Sequence, residues 1–471
     1  MVDGFRRSSR NESDHSKRKA LTLTAMSLGF VVVQLDVTIV NVAVKSIGAA
    51  LGGGVSGLQW VVNAYTISFA ALILTAGAAG DRVGSKRVFM NGFAIFVAAS
   101  LGCGLAPNIG LLICARAIQG CGAAILVPCS LALLNHAYPE DQERTRAIGI
   151  WAAGASVALA AGPVIGGVLI AAIGWRTIFF INIPIGFFGM WLTRRFVAET
   201  PRTRTRGLDY GGQVLAILWL AVMAAAIIEA GRVGWTNRWI ISGFAVVFVT
   251  LLAFVVVEHK GRDPMMPLSL FRDRTFTAST AIGLLINVAY YGLIFVLSLY
   301  FQEIRNYTAL HTGLAFLPMT AIVLAANLSA GYFSSRIGSR LTMFVGQALF
   351  AIGAFFLLWV GSTGSYLDLA FQLLIIGAGI GITVPPMTSE LLGTVDKKDS
   401  GIASGVLNSA RQAGSVVGVA LLGSFVAQKS QFIQGFHKGL VVSVVAVAAG
   451  ALVSLIVETK QTSRSRAGAY E

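Results

Sequence analysis

Fourteen apolar stretches, each roughly 20 residues or longer, constrain this chain more than any other feature of its sequence. About 20 residues of helix, at roughly 1.5 Å per residue, cross a hydrocarbon core of roughly 30 Å. Only 12% of the residues are charged, well below the roughly 25% of a soluble domain. We therefore predict an all-α polytopic membrane protein with 14 transmembrane helices, near residues 20–44, 56–80, 87–106, 109–135, 147–172, 176–197, 209–230, 239–258, 275–301, 312–337, 341–361, 367–392, 401–427 and 437–457.

The positive charge of the chain follows a membrane topology and does not indicate a nucleic-acid partner. The net charge is +15, and most of the 36 Lys and Arg fall in alternate loops. Because loops rich in Lys and Arg face the cytoplasm, we expect both termini to be cytoplasmic. No small-residue cleavage site follows the first apolar stretch, so we expect a retained helix. The expected location is the cytoplasmic (inner) membrane of the cell, in contact with the lipid bilayer.

Two ordered motif matches indicate an internal duplication. GAAGDRVGSKR, from Gly77 to Arg87, matches GYFSSRIGSRL, from Gly331 to Leu341, and a Gly-x-Gly pattern followed by Val-Pro recurs at a similar displacement. Transporters are commonly built from such repeated helical units. The predicted organisation is a cytoplasmic N-terminal tail (1–19), an N-terminal six-helix half (20–197), a linker with two extra transmembrane helices (198–274), a C-terminal six-helix half (275–457) and a cytoplasmic C-terminal tail (458–471).

Two opposite charges are predicted at one depth inside the membrane. Asp36 lies within LDVTIVNVA in the first apolar stretch, and Arg116 lies in the fourth. From the rise per residue, Asp36 lies roughly 12 Å and Arg116 roughly 10 Å from the outer ends of their helices. An intramembrane charge is costly and usually functional, and a buried guanidinium needs an acceptor. A change in their separation would alter how tightly Asp36 holds a proton, as a proton carrier requires. The alternative is a static polar tie between helices.

Signatures of enzymes and of resident cofactors do not occur in this sequence. GxxxxGK[ST], HExxH and GxSxG do not appear, and the four cysteines fall within apolar segments without CxxC or His pairing. We therefore expect no enzyme activity, no metal and no cofactor. The energy for transport is expected from the proton gradient.

Several motifs resemble those of the major facilitator superfamily, in particular its fourteen-helix branch of drug and proton antiporters. The motifs are LDVTIVNVA, GAAGDRVGSKR, RAIQGCGAA, GPVIGG and WRTIFFINIPIG, and the resemblance covers essentially residues 20–457. FLPMT at Phe316 and PPMT at Pro385 are similar to the methylenomycin-resistance type of exporter within that branch. The resemblance implies the major facilitator fold, two six-helix halves plus two inserted helices. It also implies that Asp36 is the protonation site and Arg116 its partner.

The loop after the second apolar stretch resembles the family's conformational latch, which here comprises Gly77, Asp81, Arg82 and Gly84. Asp81 would favour the positive end of a helix dipole, and Ser400 is a good N-cap at the start of the thirteenth stretch. The resemblance implies that this contact closes the cytoplasmic side. The second copy of the motif has Ser335 in place of the acid, so only the first copy could act in this way.

The fifth apolar stretch resembles the family's antiporter helix, through Gly154, Gly162, Pro163, Gly166 and Gly167. Gly162 and Gly166 allow close helix approach, and Pro163 removes a backbone hydrogen bond and bends the helix. The resemblance implies a helix that seals and rearranges the cavity between the halves. Tight packing without a mechanistic role is the alternative.

Polar and aromatic side chains near mid-membrane are the candidates for a substrate cavity, although each could instead form a hydrogen bond between helices. They are Gln34, Thr38, Asn41, Asn63, Tyr65, Asn287, Tyr290, Tyr291, Asn408, Arg411 and Gln412. Some relatives that export multivalent cations carry an additional acid in the tenth stretch, where this chain has Val323, Leu324 and Asn327. Neutral, monocationic or, through Arg411, anionic substrates therefore remain open.

These features together predict a proton-coupled efflux transporter that exports small hydrophobic drugs or antibiotics by alternating access. Its expected partners are a small-molecule substrate and protons, and it is expected to act as a monomer. Two alternatives remain open: an exporter or importer of a metabolite such as a sugar or peptide-like product, and a transport-inactive membrane receptor.

Overall fold

Every regular element among the described residues is a helix or a helical turn, as the apolar stretches predict. The computed structural model describes residues 2–202, 207, 209–261, 264–361, 365–396 and 399–457, except for the side chains of residues 2–15 and 429. The expected C-terminal tail, residues 458–471, lies outside the described residues, as do residues 203–206, 208 and 262–263 of the expected linker.

The helices follow one another in three groups. The N-terminal group contains α1 (Val2–Leu51), α2 (Gly54–Val83), α3 (Ser85–Leu105), α4 (Ile109–Ala137), α5 (Asp141–Ala172), α6 (Thr177–Phe180) and α7 (Asn182–Phe196). The inserted group contains α8 (Tyr210–Val233) and α9 (Arg238–Lys260). The C-terminal group contains α10 (Arg274–Leu299), α11 (Ala309–Ala315), α12 (Leu317–Ile337), α13 (Ser339–Phe356), α14 (Tyr366–Gly393), α15 (Ser400–Phe425) and α16 (Phe432–Ser454).

Thirteen helical segments among the described residues are long and apolar enough to cross a membrane. In this count α6 and α7 make one span, as do α11 and α12, and α10 continues through a π turn to Ile304. The one predicted span that is not in this count is the thirteenth, which corresponds to α15; it has 26 residues but is more polar because it carries Asn408, Arg411 and Gln412. The chain is thus an all-helical, multi-pass membrane protein.

Glycines end two helices at equivalent points of the duplicated motif. Gly84 separates α2 from α3 with a φ of 108°, and Gly338 separates α12 from α13 with a φ of 82°. Only glycine adopts such conformations at little cost. We call the end of the bundle at Gly84 and Gly338 the basic end, because Arg82, Lys86 and Arg336 lie there, and the other end the opposite end.

The N-terminal and C-terminal groups meet along two seams. At the first, α2 packs on α15, where the Ser409 hydroxyl donates to the carbonyl of Ala70 at 2.9 Å. At the second, α5 packs on α11 and α12. A Cβ on Gly313 of α11 would lie 2.9 Å from the carbonyl carbon of Pro163 in α5. The two groups therefore approach backbone to backbone at the second seam.

The inserted helix α8 lies across the first seam and packs on both α2 and α15. The Gln213 amide donates to the carbonyl of Ala71 on α2 at 2.9 Å. Near the other end of α8, a Cβ on Gly231 would lie 2.7 Å from the Cα of Ser424 on α15. The second inserted helix, α9, packs on α8 and exposes Trp239 and Phe248.

We predict that Gly418→Ala destabilises the fold by about 1–3 kcal/mol, the usual cost of overpacking. A Cβ on Gly418 of α15 would lie 2.9 Å from the carbonyl carbon of Val288 on α10, so the two helices must separate. Thermal unfolding of the purified protein in detergent measures the effect. Gly331→Ala is the matched control, because its Cβ would meet nothing within 4 Å. An equal melting temperature for both variants would contradict the prediction.

Candidate functional site

Asp36 lies at the centre of a buried polar cluster inside the N-terminal group. Its side chain is 0% exposed and that of Arg116 is 1% exposed. The Nη1 of Arg116 pairs with Oδ2 of Asp36. The other carboxylate oxygen, Oδ1, accepts from the amide of Gln119 at 2.8 Å and from the amide of Asn182 at 3.0 Å. The structure thus brings the two predicted coupling residues into direct contact.

The guanidinium of Arg116 is held by several partners besides the carboxylate. Its Nε donates to the carbonyl of Val61 at 3.1 Å, and its Nη1 also donates to Oε1 of Gln119 at 2.8 Å. Its central carbon lies 4.3 Å from the ring centroid of Tyr65, within the range of a cation–π interaction. A buried guanidinium with this many partners is fixed in position.

Three elements besides α1 bring these groups together. Arg116 and Gln119 lie three residues apart on α4, so their side chains share one face of that helix. Asn182 is the first residue of α7, directly after the break at Ile181. The Ser100 hydroxyl on α3 accepts from Gln119 at 2.8 Å and from Asn182 at 3.4 Å. The cluster therefore joins α1, α3, α4 and α7.

Sequence reasoning missed Gln119, Asn182 and Ser100. The spacing of Gln119 from Arg116 could have found the first, since both lie in RAIQGCGAA. Asn182 lies within WRTIFFINIPIG, to which no residue role was attached. Ser100 carries no local signal, because its neighbours in α3 are apolar.

A cavity of about 1110 Å³ lies between the N-terminal and C-terminal groups. It is lined by residues of α1, α2, α4, α5, α10, α12, α14 and α15 and extends from mid-depth to the basic end. There it reaches Asp81, Gly401 and Asn135, all exposed to solvent. Asp36 does not line it. The cavity is therefore accessible from the basic end, and the Asp36 cluster lies behind its wall.

Six of the predicted cavity residues line this cavity: Gln34, Asn287, Tyr290, Tyr291, Asn408 and Arg411. The other five, Thr38, Asn41, Asn63, Tyr65 and Gln412, do not line it.

Four of those five lie in helix contacts. The hydroxyl of Thr38 faces Gly162 of α5, and Tyr65 lies over Arg116. The carbonyl of Asn41 accepts from Ser298 at 2.5 Å. Asn63 is fully buried in α2, and its side-chain amide has no hydrogen-bond partner among the described residues.

The glycines of α5 face two different neighbours. A Cβ on Gly166 would lie 2.7 Å from side-chain atoms of both Ile39 and Val42 on α1. A Cβ on Gly167 would lie 2.8 Å from the carbonyl oxygen of Ala309 on α11, and Pro163 also faces α11. Gly154, nearer the basic end, has more space, with Val31 at 3.5 Å. The helix therefore packs tightly on α1 and on the C-terminal group at once.

Contacts between the two groups close the opposite end. The ammonium of Lys45 donates to the carbonyl of Gln302 at 2.5 Å. The amide of Gln59 donates to the carbonyls of Val419 and Ala420 at 2.9 and 2.7 Å. Together with the bond from Ser298 to Asn41, these contacts join α1 to α10 and α2 to α15. Their number and burial make the opposite end the closed one in this conformation.

The loop after α2 is fixed by a residue that sequence reasoning did not select. Glu199 accepts from the backbone N–H of Lys86 at 2.8 Å and of Arg87 at 3.2 Å, at the start of α3. A carboxylate is favourable at a helix N-terminus. Gly84 leaves room for it, because a Cβ there would lie 2.7 Å from the carboxylate carbon. Of the predicted latch residues, Arg82 is exposed, and Gly77 and Asp81 line the cavity.

Comparison with known proteins identifies related chains. The family model of the Major Facilitator Superfamily matches residues 26–419. The chain is 39% identical over 417 residues to the methylenomycin A resistance protein of Streptomyces coelicolor, covering 88% of this chain and 87% of that one. It is 36% identical over 412 residues to the multidrug resistance protein Stp of Mycobacterium tuberculosis, covering 88% and 76%.

A solved structure shares the fold. The human organic anion transporter MFSD10 (TETRAN) matches with a TM-score of 0.62 at 14% identity, over 93% of this chain and 99% of that one. At this identity the match supports the arrangement of helices alone.

We predict that Arg116→Gln destabilises the protein by about 3–5 kcal/mol, because it leaves a buried carboxylate without its cation. The double variant Asp36→Asn, Arg116→Gln removes both charges, so we expect it to be more stable than the single variant. Thermal unfolding at neutral pH measures the difference. A double variant as unstable as Arg116→Gln would show that the two side chains are not energetically coupled.

Proposed function

Because the chain belongs to the major facilitator superfamily, we propose that it is a proton-coupled efflux transporter that exports small, largely hydrophobic drugs or antibiotics by alternating access. The observation that carries this proposal is the buried pair of Asp36 and Arg116 behind a cavity that is accessible from one end only. The names of the two curated relatives, a methylenomycin A resistance protein and a multidrug resistance protein, support the class of substrate.

The contacts of Asp36 suit its deprotonated form. An ionised carboxylate only accepts hydrogen bonds, and both oxygens of Asp36 accept from N–H donors of Arg116, Gln119 and Asn182. The orientation of the Gln119 amide is fixed, because its oxygen already accepts from Arg116. We therefore assign the conformation that is accessible from the basic end to the deprotonated state of Asp36.

Protonation would weaken the link between α1 and α4. A neutral carboxyl loses its charge attraction to Arg116, while Arg116 keeps its bonds to Val61 and Gln119. In the proposed cycle, a proton taken up from outside accompanies the release of substrate outward. Loss of that proton to the cytoplasm restores the conformation described here.

Helix α1 is the element that would couple the proton to the substrate. Gln34 of α1 lines the cavity, and Asp36, two residues further on, faces the polar cluster. Successive residues of a helix are about 100° apart, so these two side chains point to nearly opposite sides. A shift of α1 on protonation would therefore change the cavity wall directly.

The latch assignment is part of the same proposal. Asp81, at the end of α2, and Ser400, at the start of α15, both line the cavity at the basic end. We assign the basic end to the cytoplasm, following the excess of Lys and Arg in its loops. Closer approach of Asp81 to the N-terminus of α15 would close that side. The protein is proposed to act as a monomer in the cytoplasmic membrane, driven by the proton gradient without a resident cofactor.

We predict that Asp36→Asn reduces drug-driven proton movement to the level of liposomes without protein, because asparagine cannot carry the proton. Proton flux in proteoliposomes, with a pH-sensitive dye in the lumen and a panel of drugs, provides the measurement. Drug binding by the same variant, followed by its thermal stabilisation, should persist. The matched control is Asp141→Asn, which changes an exposed carboxylate paired with Arg144. Wild-type proton flux in Asp36→Asn would remove Asp36 from the coupling mechanism.

A further inference from the structure

Arg411 is an intramembrane arginine that has no ion-pair partner among the described residues. It lies on α15 and lines the cavity at mid-depth. Its Nε is buried and has no hydrogen-bond partner in the part of the chain that the structure describes. Within the described part of the chain, the ion pairs involve other residues and leave Arg411 out.

The other intramembrane arginine, Arg116, shows how the protein can offset the charge of a buried guanidinium. Arg116 contacts a carboxylate, an amide oxygen, a backbone carbonyl and an aromatic ring. Such partners offset the cost of placing a guanidinium away from water. Among the described residues, Arg411 has no ion pair, and its Nε has no hydrogen bond. Contacts within the chain therefore offset the charge of Arg116, whereas the described residues offer no equivalent contacts to Arg411.

The acidic residues of the cavity lie too near its mouth to serve as partners. Asp399 directly precedes α15, so it lies roughly 18 Å along the helix axis from Arg411 at about 1.5 Å per residue. Asp81 lies at the basic end of α2, and Asp209, which also lines the cavity, directly precedes α8 at the same end. The positive charge at mid-depth therefore has no counter-charge nearby among the described residues that line the cavity.

The side chains that line the cavity together with Arg411 include two tyrosines and an asparagine, so this surface is aromatic and polar. Tyr290 and Tyr291 of α10 line the cavity, with ring centroids 5.2 Å apart. Asn408, one turn before Arg411 on α15, lines it as well. Gly283 of α10 makes room for the arginine, because a Cβ there would lie 3.2 Å from Cγ of Arg411. A guanidinium beside aromatic rings suits an apolar compound that carries an oxyanion.

We infer that the compounds exported by this protein are hydrophobic organic anions, whose carboxylate or comparable oxyanion binds the guanidinium of Arg411. Their apolar part contacts Tyr290 and Tyr291. This inference rests on the proposed export function and narrows its substrate class. The substrate anion supplies the counter-charge that the chain itself does not provide. Arg411 is thus the residue that selects substrates by charge.

The first test compares matched ligands that differ only in charge. The probes are carboxylates, carboxamides and amines built on the same naphthyl, biphenyl and pyrenyl frames. Binding to the purified wild type is measured by tryptophan fluorescence and by thermal stabilisation. We expect the carboxylates to bind at least about tenfold more tightly than the carboxamides, as a charge-assisted hydrogen bond provides. Equal binding, or a preference for amides or amines, would overturn the inference while leaving the export function intact. Failure of every probe to bind would instead count against the export function itself.

The second test uses variants of the arginine. Arg411→Gln should lose the preference for carboxylates, and Arg411→Lys should retain part of it because the charge remains. The matched control is Gln412→Leu, at a neighbouring position of α15 that does not line the cavity. It should keep the wild-type preference. A carboxylate preference that survives in Arg411→Gln would overturn the inference.

The melting temperature of the ligand-free protein distinguishes a substrate-binding role of Arg411 from a structural role. Because removing the guanidinium leaves no charged partner unpaired among the described residues, Arg411→Gln should melt at or above the wild-type temperature. A lower melting temperature would identify Arg411 as a structural residue and would contradict the inference, whatever the binding results.

Discussion

A charge buried in an apolar bundle must find its partners within the protein, and the arrangement of the N-terminal group follows from this requirement. Asp36 and Arg116 neutralise each other, and Gln119 and Asn182 both donate to Oδ1 of the carboxylate. These four residues come from three helices, and Ser100 adds a fourth helix. Lipid supplies no hydrogen bonds in their place. The polar cluster therefore fixes how α1, α3, α4 and α7 pack.

The sequence alone was enough to predict the helices and the meeting of the two charges. Apolar length identifies membrane spans, and counting residues from a helix end gives the depth at which Asp36 and Arg116 lie. The face on which a polar residue lies was harder to predict. These helices are apolar on most sides, so Thr38 and Tyr65 carried no sign that they face neighbouring helices. Glu199 lies between elements, where periodicity gives no information.

The two intramembrane arginines differ in whether the protein itself supplies partners for the guanidinium. The N-terminal group supplies hydrogen-bond acceptors for Arg116, so the guanidinium of this arginine is satisfied without a ligand. In the C-terminal group, Arg411 lines an open cavity. In the inference above, its guanidinium acquires a counter-charge only when an anionic substrate binds. A transporter needs both properties, because the ion site must be permanent and the substrate site must be empty for part of each cycle.

The inserted helix α8 makes the two seams of the molecule mechanically unequal. It packs on α2 and α15 together, through Gln213 near one end and Gly231 near the other. At the contact of α5 with α11 and α12, by contrast, neither α8 nor α9 packs across the seam within the described ranges. Helix α8 therefore restrains the relative motion of the two halves at the first seam and not at the second. A compound dissolved in the bilayer meets one side covered by α8 and α9 and another side that is not. The two additional helices therefore give the molecule a front and a back.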